Sequence, residues 1–452
     1  MIETFITTIT SMTTRIALAA LAALLIAPLS AETPSLAHQQ LEKTVENSRI
    51  IYIDGKPDSA KAVAERDSMY REMISFYYNQ FRHFDDPVAP FFQFMSREAG
   101  LSMGIGGVVR MRGYFDFDGI SDSPAFSPYL IPVPSSPTDR RQLGTTPAGT
   151  CLYFMVLGRN KLFGVYQLYI EANFNGYHSR DFKLKHAYAT FRDFTVGLAT
   201  STFADVAAQT PMVDANGPAN KIAPGNVLVR YMPQIGKHWV MAVSLEDPSS
   251  PANYRTDGTE CAKVRNWTPD VCAFLQYQWA RDQHLRLSGM YRYMPYRNLI
   301  EEKNRSVNGW ALQLSTVAHP LPQLTFYGSG VYGRGYTSVM NDLLIGSYDM
   351  MADTDRPGHM YSPYAYGWNF GVQYHFRPNL FSCVGLGQVR YLAREVTDPS
   401  EYRHGELLMA NLFWNPTPRS QVGIEYDFGR RNNQGGTHAT AHRIGAMVQF
   451  SF

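Results

Sequence analysis

The chain has 452 residues, with 41 Lys and Arg against 39 Asp and Glu and a formal net charge of +2. So even a balance gives no footing for nucleic acid or a strongly acidic partner. Mean hydropathy is −0.25, which excludes a bundle of membrane helices, while 28 Tyr, 26 Phe and 35 Gly suit many strands and tight turns.

Taken in chain order, the first element is an export signal over residues 1–31. Arg15 supplies the positive end, Ile16 to Leu29 the apolar run, and Leu29-Ser30-Ala31 the small residues before a cut near Ala31 or Glu32. The run is too short to span a bilayer comfortably, and no later stretch reaches the roughly 18–20 apolar residues that a membrane helix needs. An exported chain without a spanning helix still has one way to live in a membrane, as a closed barrel. Residues 32–100 form an N-terminal periplasmic segment. Within it, 57–83 predicts a helix with Asp58 or Ser59 as N-cap and Val63, Met69, Met73, Phe76, Tyr77 and Phe81 at three- and four-residue spacing. Such a helix either packs on or plugs the periplasmic mouth, or associates copies of the chain as a short coiled coil.

From Ser102 to the last residue the pattern has period two. In 421–428, Val422, Ile424, Tyr426 and Phe428 alternate with Gln421, Gly423, Glu425 and Asp427. Seven short connectors, such as Arg192-Asp193 and Arg377-Pro378-Asn379, alternate with eight long polar ones. The pattern predicts an all-β fold, a transmembrane antiparallel β-barrel of sixteen strands over 101–452, with short periplasmic turns and long extracellular loops. Trp239, Trp279 and Trp414 fall on the outward parity at the periplasmic rim, and Trp310 and Trp368 at the outer rim, as an aromatic girdle. Phe450 and Phe452 close the chain as an insertion signal for the barrel-assembly machinery, and outer-membrane lipid surrounds the wall. Cys151 and Cys383 stand alone, and the spacing leaves Cys261 and Cys272 open to a disulfide. No His or Cys pair has ligand spacing, so neither metal nor cofactor is expected.

A wide barrel needs a constriction and charge in the right places. The connector of about 201–225 is the natural constriction loop, with Ser201, Phe203, Asp205, Asp214 and Lys221. Parity puts Arg110, Arg112, Lys183, Lys185, Arg230, Arg286, Arg292 and Arg443 on the lumen face, against Glu171, Glu246, Glu425 and Asp427, and places His186 outward. The basic excess predicts weak anion selectivity. A barrel hydrolase would need a nucleophile and a base together, and no such motif is present. An adhesin or structural barrel with a closed lumen stays open as the alternative.

The stretch Lys185 to Pro218 resembles the DcaP-like trimeric outer-membrane porins. The resemblance lies in His186-Ala187-Tyr188, Val196-Gly197, Ser201-Thr202-Phe203, Asp205, Pro211, Asp214 and Gly217-Pro218, and in the closing hairpin from Val422 to Phe452. It implies a sixteen-stranded homotrimer that passively admits small anionic solutes such as dicarboxylates.

Overall fold

The structure, a computed structural model, describes residues 49–54, 90–96 and 98–452, apart from 121–122, 136, 175–180, 249–259, 281 and 395–397, together with scattered positions before 69. The export signal and nearly all of the helix expected over 57–83 lie outside the described residues.

The strands of the barrel are β1 (Leu101–Asp118), β2 (in two stretches, Gln142–Thr146 and Cys151–Asn160), β3 (Gly164–Phe174), β4 (Phe182–Phe191), β5 (Phe194–Thr200), β6 (Gly225–Tyr231), β7 (Trp239–Glu246) and β8 (Asp270–Ala280). They continue as β9 (Gln283–Asn298), β10 (Lys303–Leu321), β11 (Leu324–Arg334), β12 (Tyr364–Arg377), β13 (Leu380–Leu392), β14 (Tyr402–Thr417), β15 (Ser420–Asn433) and β16 (His438–Ser451). Each is antiparallel to the next. β16 returns to β1, with Arg443 opposite Asp116 and Ser451 opposite Val108. The result is a closed antiparallel barrel of sixteen strands. Closure leaves no edge in the bilayer, the condition for crossing it with strands.

The predicted alternation becomes two surfaces. Leu152, Ile170, Val229, Leu312, Val384 and Ile424 stand exposed on the outside. On a water-soluble protein such a belt would be an anomaly; facing lipid it is the wall. The inward residues are polar or are covered by loops. Three loops on the long-loop side fold into the barrel: L1 (119–141), L3 (201–224) and L6 (335–363). Phe126 and Ile131 of L1, Phe203 and Ile222 of L3, and Val339 and Met340 of L6 share one buried cluster with wall residues such as Met290 and Val389.

At the other mouth, two strands outside the barrel extend its sheet. Phe92–Ser96 pairs antiparallel with the lower end of β1, Phe92 facing Ile105, and Arg49–Tyr52 pairs parallel with Phe92–Ser96. Met95 is thereby buried against Tyr153, Met155, Leu157 and Tyr169 on the inner face of β2 and β3. Farther round the same mouth, Ser35 Oγ donates to Asp282 at 2.6 Å and the Leu36 amide to the Pro322 carbonyl at 3.0 Å. Nothing in the sequence of residues 32–56 announces the strand Arg49–Tyr52. The strand in them has too few residues to show a period.

Candidate functional site

The site is built by L3 and what holds it. L3 leaves β5 and crosses the lumen. Its Thr202 amide donates to Glu246 on β7 at 2.9 Å. Asp205 accepts from His284 Nε2 on β9 at 2.7 Å and from Ser315 Oγ on β10 at 2.5 Å, with Arg286 at 3.7 Å. The Pro211 carbonyl accepts from Asn411 on β14 at 2.9 Å. At the far wall, Glu425 on β15 receives the amides of Val213 and Asp214 at 2.8 and 2.6 Å. Arg443 on β16 binds Asp116 through Nε at 2.6 Å and Nη2 at 2.8 Å, and reaches Asp214 at 3.2 Å. On the way back, the Ala219 carbonyl accepts from Asn369 on β12 at 2.8 Å, and the Asn220 amide donates to Asp342 of L6 at 2.9 Å.

Glycines on the inner wall let the loop lie this close. A methyl at Gly371 would stand 1.9 Å from the Thr210 hydroxyl, and one at Gly387 would stand 2.8 Å from Ala219 and 2.6 Å from the Trp368 carbonyl. The loop therefore lies close against the wall, where its Thr202, Val213 and Asp214 amides and its Pro211 and Ala219 carbonyls find side-chain partners.

Between L3 and the wall of β1 to β4 lies a cavity of about 700 Å³. Arg110, Arg112, Asn173 and Lys185 line it from the wall, and Asp214 and Lys221 from the loop. Arg110 Nε donates to Gln449 at 2.7 Å. Arg112 is 8% exposed; it donates to the Val213 carbonyl at 2.5 Å and to the Ala148 carbonyl. Lys185 Nζ lies 3.3 Å from Glu171. Asp214, the carboxylate among these lining groups, is the one that Arg443 engages.

No protein-family model and no curated protein sequence matches the chain. Solved structures do. The outer membrane channel DcaP of Acinetobacter baumannii aligns with a TM-score of 0.65 at 19% identity, over 78% of this chain and 98% of that one. The anion-selective porin from Comamonas acidovorans gives 0.52 at 7% identity, over 78% and 100%. A loop L8 deletion mutant of OmpT, an outer membrane protein of Vibrio cholerae, gives 0.50 at 9% identity, also over 78% and 100%. The fold is that of an outer-membrane porin. The resemblance read from Lys185 to Pro218 thus holds at the level of the fold, and the exposed apolar belt is the lipid-facing surface of a membrane-spanning barrel.

In this porin-fold barrel the lumen cations divide by depth. Arg110, Arg112 and Lys185 line the cavity. Arg230, Arg286 and Arg292 also point inward, yet they lie beneath the loops and hold them. Arg230 donates to Thr202 Oγ1 at 2.7 Å and to the Thr200 carbonyl. Arg286 donates to the Ala204 carbonyl at 3.0 Å. Arg292 pairs with Asp270 at 3.0 Å and Asp349 at 3.2 Å, and donates to the Gly335 carbonyl at 3.0 Å, pinning L6. Lys183 faces Asn173 at the extracellular end of β4, exposed and 3.7 Å from Asp181. Asp427 is fully buried in register with Arg443.

His186 corrects the parity count. It is 2% exposed and lies inside, its Nδ1 3.0 Å from Glu171 and its Nε2 3.2 Å from Thr200 Oγ1. The register skips Lys185, with Glu171 facing His186 and Ala172 facing Leu184. That bulge turns both Lys185 and His186 inward.

The structure also corrects the open disulfide: Cys261 and Cys272 are free and buried. Cys261 faces Asn298 and Cys272 faces Met290 on β9, eight residues or about 27 Å apart along the strand, well beyond disulfide reach.

Among the tryptophans, Trp239 and Trp414 are outward and half exposed at the short-turn end. Trp279 joins them there through Tyr277, whose ring lies 5.0 Å from Trp239 and 6.2 Å from Trp279. Trp310 stands at the opposite end beside Tyr332 and Tyr364. Trp368 sits four residues inside the start of β12, deeper than the rim position expected for it. Phe450 and Phe452 face outward, and Phe452 exchanges both backbone hydrogen bonds with Gly107.

Proposed function

We propose that this porin is a passive channel for small anionic solutes, working as a homotrimer. The carrying observation is the charge of the cavity lining. Arg110, Arg112, Lys185 and Lys221 stand there with one lining carboxylate, Asp214, while behind the lining Glu171 pairs with Lys185, and Arg443 with Asp116 and Asp214. Between low-dielectric walls such an imbalance raises the local concentration of anions and repels cations. Lys183 at the outer end of β4 extends the same field toward the entrance. Diffusion through such a passage needs placement of charge and no reacting group. The homotrimer rests on the likeness to the DcaP-like porins.

Planar-bilayer recording in asymmetric KCl tests this. The reversal potential should report chloride preference, and conductance should rise in groups of three equal steps. Arg110→Glu with Lys185→Glu should move the chloride-to-potassium permeability ratio toward potassium by about tenfold. A cation preference in the unaltered protein would overturn the reading. Absence of any conductance would leave a structural barrel, whose lumen L1, L3 and L6 already narrow.

A further inference from the structure

The cavity has two kinds of wall, and only one of them is explained by attraction of anions. Opposed to the cations of β1 to β4, the loops present a patch of carbon beside Asp214 and Lys221. Val206 and Met212 of L3 line the cavity half-buried, and Leu344 and Ile345 of L6 line it while 48% and 57% exposed. Leu344 and Ile345 sit on a short 3-10 turn (Leu344–Gly346), ended by Ser347 with φ at 56°. The turn is held from beneath. Met340 and Leu343 are fully buried in the loop cluster, Ile222 bridges to Met340, and the Asn341 amide donates to the Lys221 carbonyl at 3.1 Å. Two large aliphatic side chains are thus fixed in an aqueous lumen, where a channel for inorganic ions has no use for them and where polar residues would serve solubility better.

We infer that the cavity selects organic anions that carry an apolar body, medium-chain or aromatic monocarboxylates, with the carboxylate on Arg110, Arg112 and Lys185 and the hydrocarbon against Leu344, Ile345, Val206 and Met212. This rests on the anion-channel reading above and specifies its solute. The two contacts act together. The cations fix one end, and every methylene that leaves water against the loop face adds to residence. Full burial of a methylene gives about fourfold in affinity, and a half-exposed face about twofold.

The test is interruption of the chloride current of the intact porin by acetate, butyrate, hexanoate and benzoate, with hexylammonium as the opposite charge on the same tail. The half-blocking concentration should fall about twofold per methylene from acetate to hexanoate, benzoate should block in the range of hexanoate, and hexylammonium should block far more weakly. Leu344→Ser with Ile345→Ser should flatten the chain-length dependence. If that double variant does not insert, Ile345→Ser alone, at the more exposed of the two, makes the same comparison. Equal blocking by acetate and hexanoate in the unaltered protein, an unchanged slope in the variant, or hexylammonium matching hexanoate would overturn the inference while chloride preference stood. A channel without chloride preference would instead bring down the reading beneath it.

Discussion

Asp205 shows what a single buried residue does for this lumen. Burial alone would push its carboxyl up, but Arg286, His284 and the hydroxyl of Ser315 outweigh that and hold it well below the ordinary value of 3.8. A carboxyl depressed on folding contributes stability that is complete above 3.8 and is lost as pH falls below it toward the folded value. L3 should therefore keep its β9 and β10 anchor throughout the neutral and mildly acidic range. Asp205→Asn leaves Arg286 buried without its counter-charge and should destabilise the fold by roughly 3 kcal/mol at pH 7. The difference should shrink below pH 3.8, and urea unfolding in lipid vesicles at both pH values measures it. Arg443 has the same character on the other side, with its guanidinium paired to Asp116 and stacked 4.1 Å over the Tyr114 ring. The lumen arginines are thus of two sorts. Parity assigns each a face, but it carries no information on whether a loop lies in front. Depth is set by contacts distant in sequence, as between Arg286 and Ala204 or Arg112 and Val213.

At the scale of elements, a strand is legible because its period is short and repeats, and a folded-in loop is not. β10 and β14 are read from alternation, and the turns between strands from Gly, Pro, Asn and Asp. L3 is marked by its length and place, whereas L1 and L6 carry no period that would show them entering the barrel. Glycines at inward parity, Gly371 and Gly387, are the mark the sequence does hold of something pressing on the wall. The bulge at Lys185 leaves no trace in composition, so His186 is misplaced by counting twos. The outward face makes its own prediction. Leu312 lies at the middle of β10, more than half exposed to the surroundings of the barrel. Leu312→Arg puts a cation into the hydrocarbon two residues inward of the Trp310 rim and should lower stability by about 1–2 kcal/mol in the same vesicle unfolding assay. An Arg in place of Gln313, one residue on, meets the lumen and not lipid.

For the whole molecule, closure depends on one seam, between β1 and β16. Gly107 has to be bare there. A methyl would stand 2.6 Å from the Phe452 ring and 2.8 Å from the Cys151 carbonyl, and the carbonyl is backbone and cannot swing away. Gly107→Val should therefore cut the yield of folded barrel, seen as loss of the heat-modifiable band on a gel, more than the same change at Gly289, where the nearest atom is a Leu312 methyl at 3.5 Å. Alternation alone leaves the seam ambiguous. Sliding β16 along β1 by two residues would return every side chain to its proper face, so hydrophobicity has no objection to it. The strand Phe92–Ser96 removes that freedom in one direction. It occupies β1 immediately beneath Phe452, like a doorstop, and a C-terminus displaced downward by two positions would land on Phe92. On that side the stagger of the cylinder, and with it its diameter, is limited by a five-residue peptide that belongs to no part of the wall.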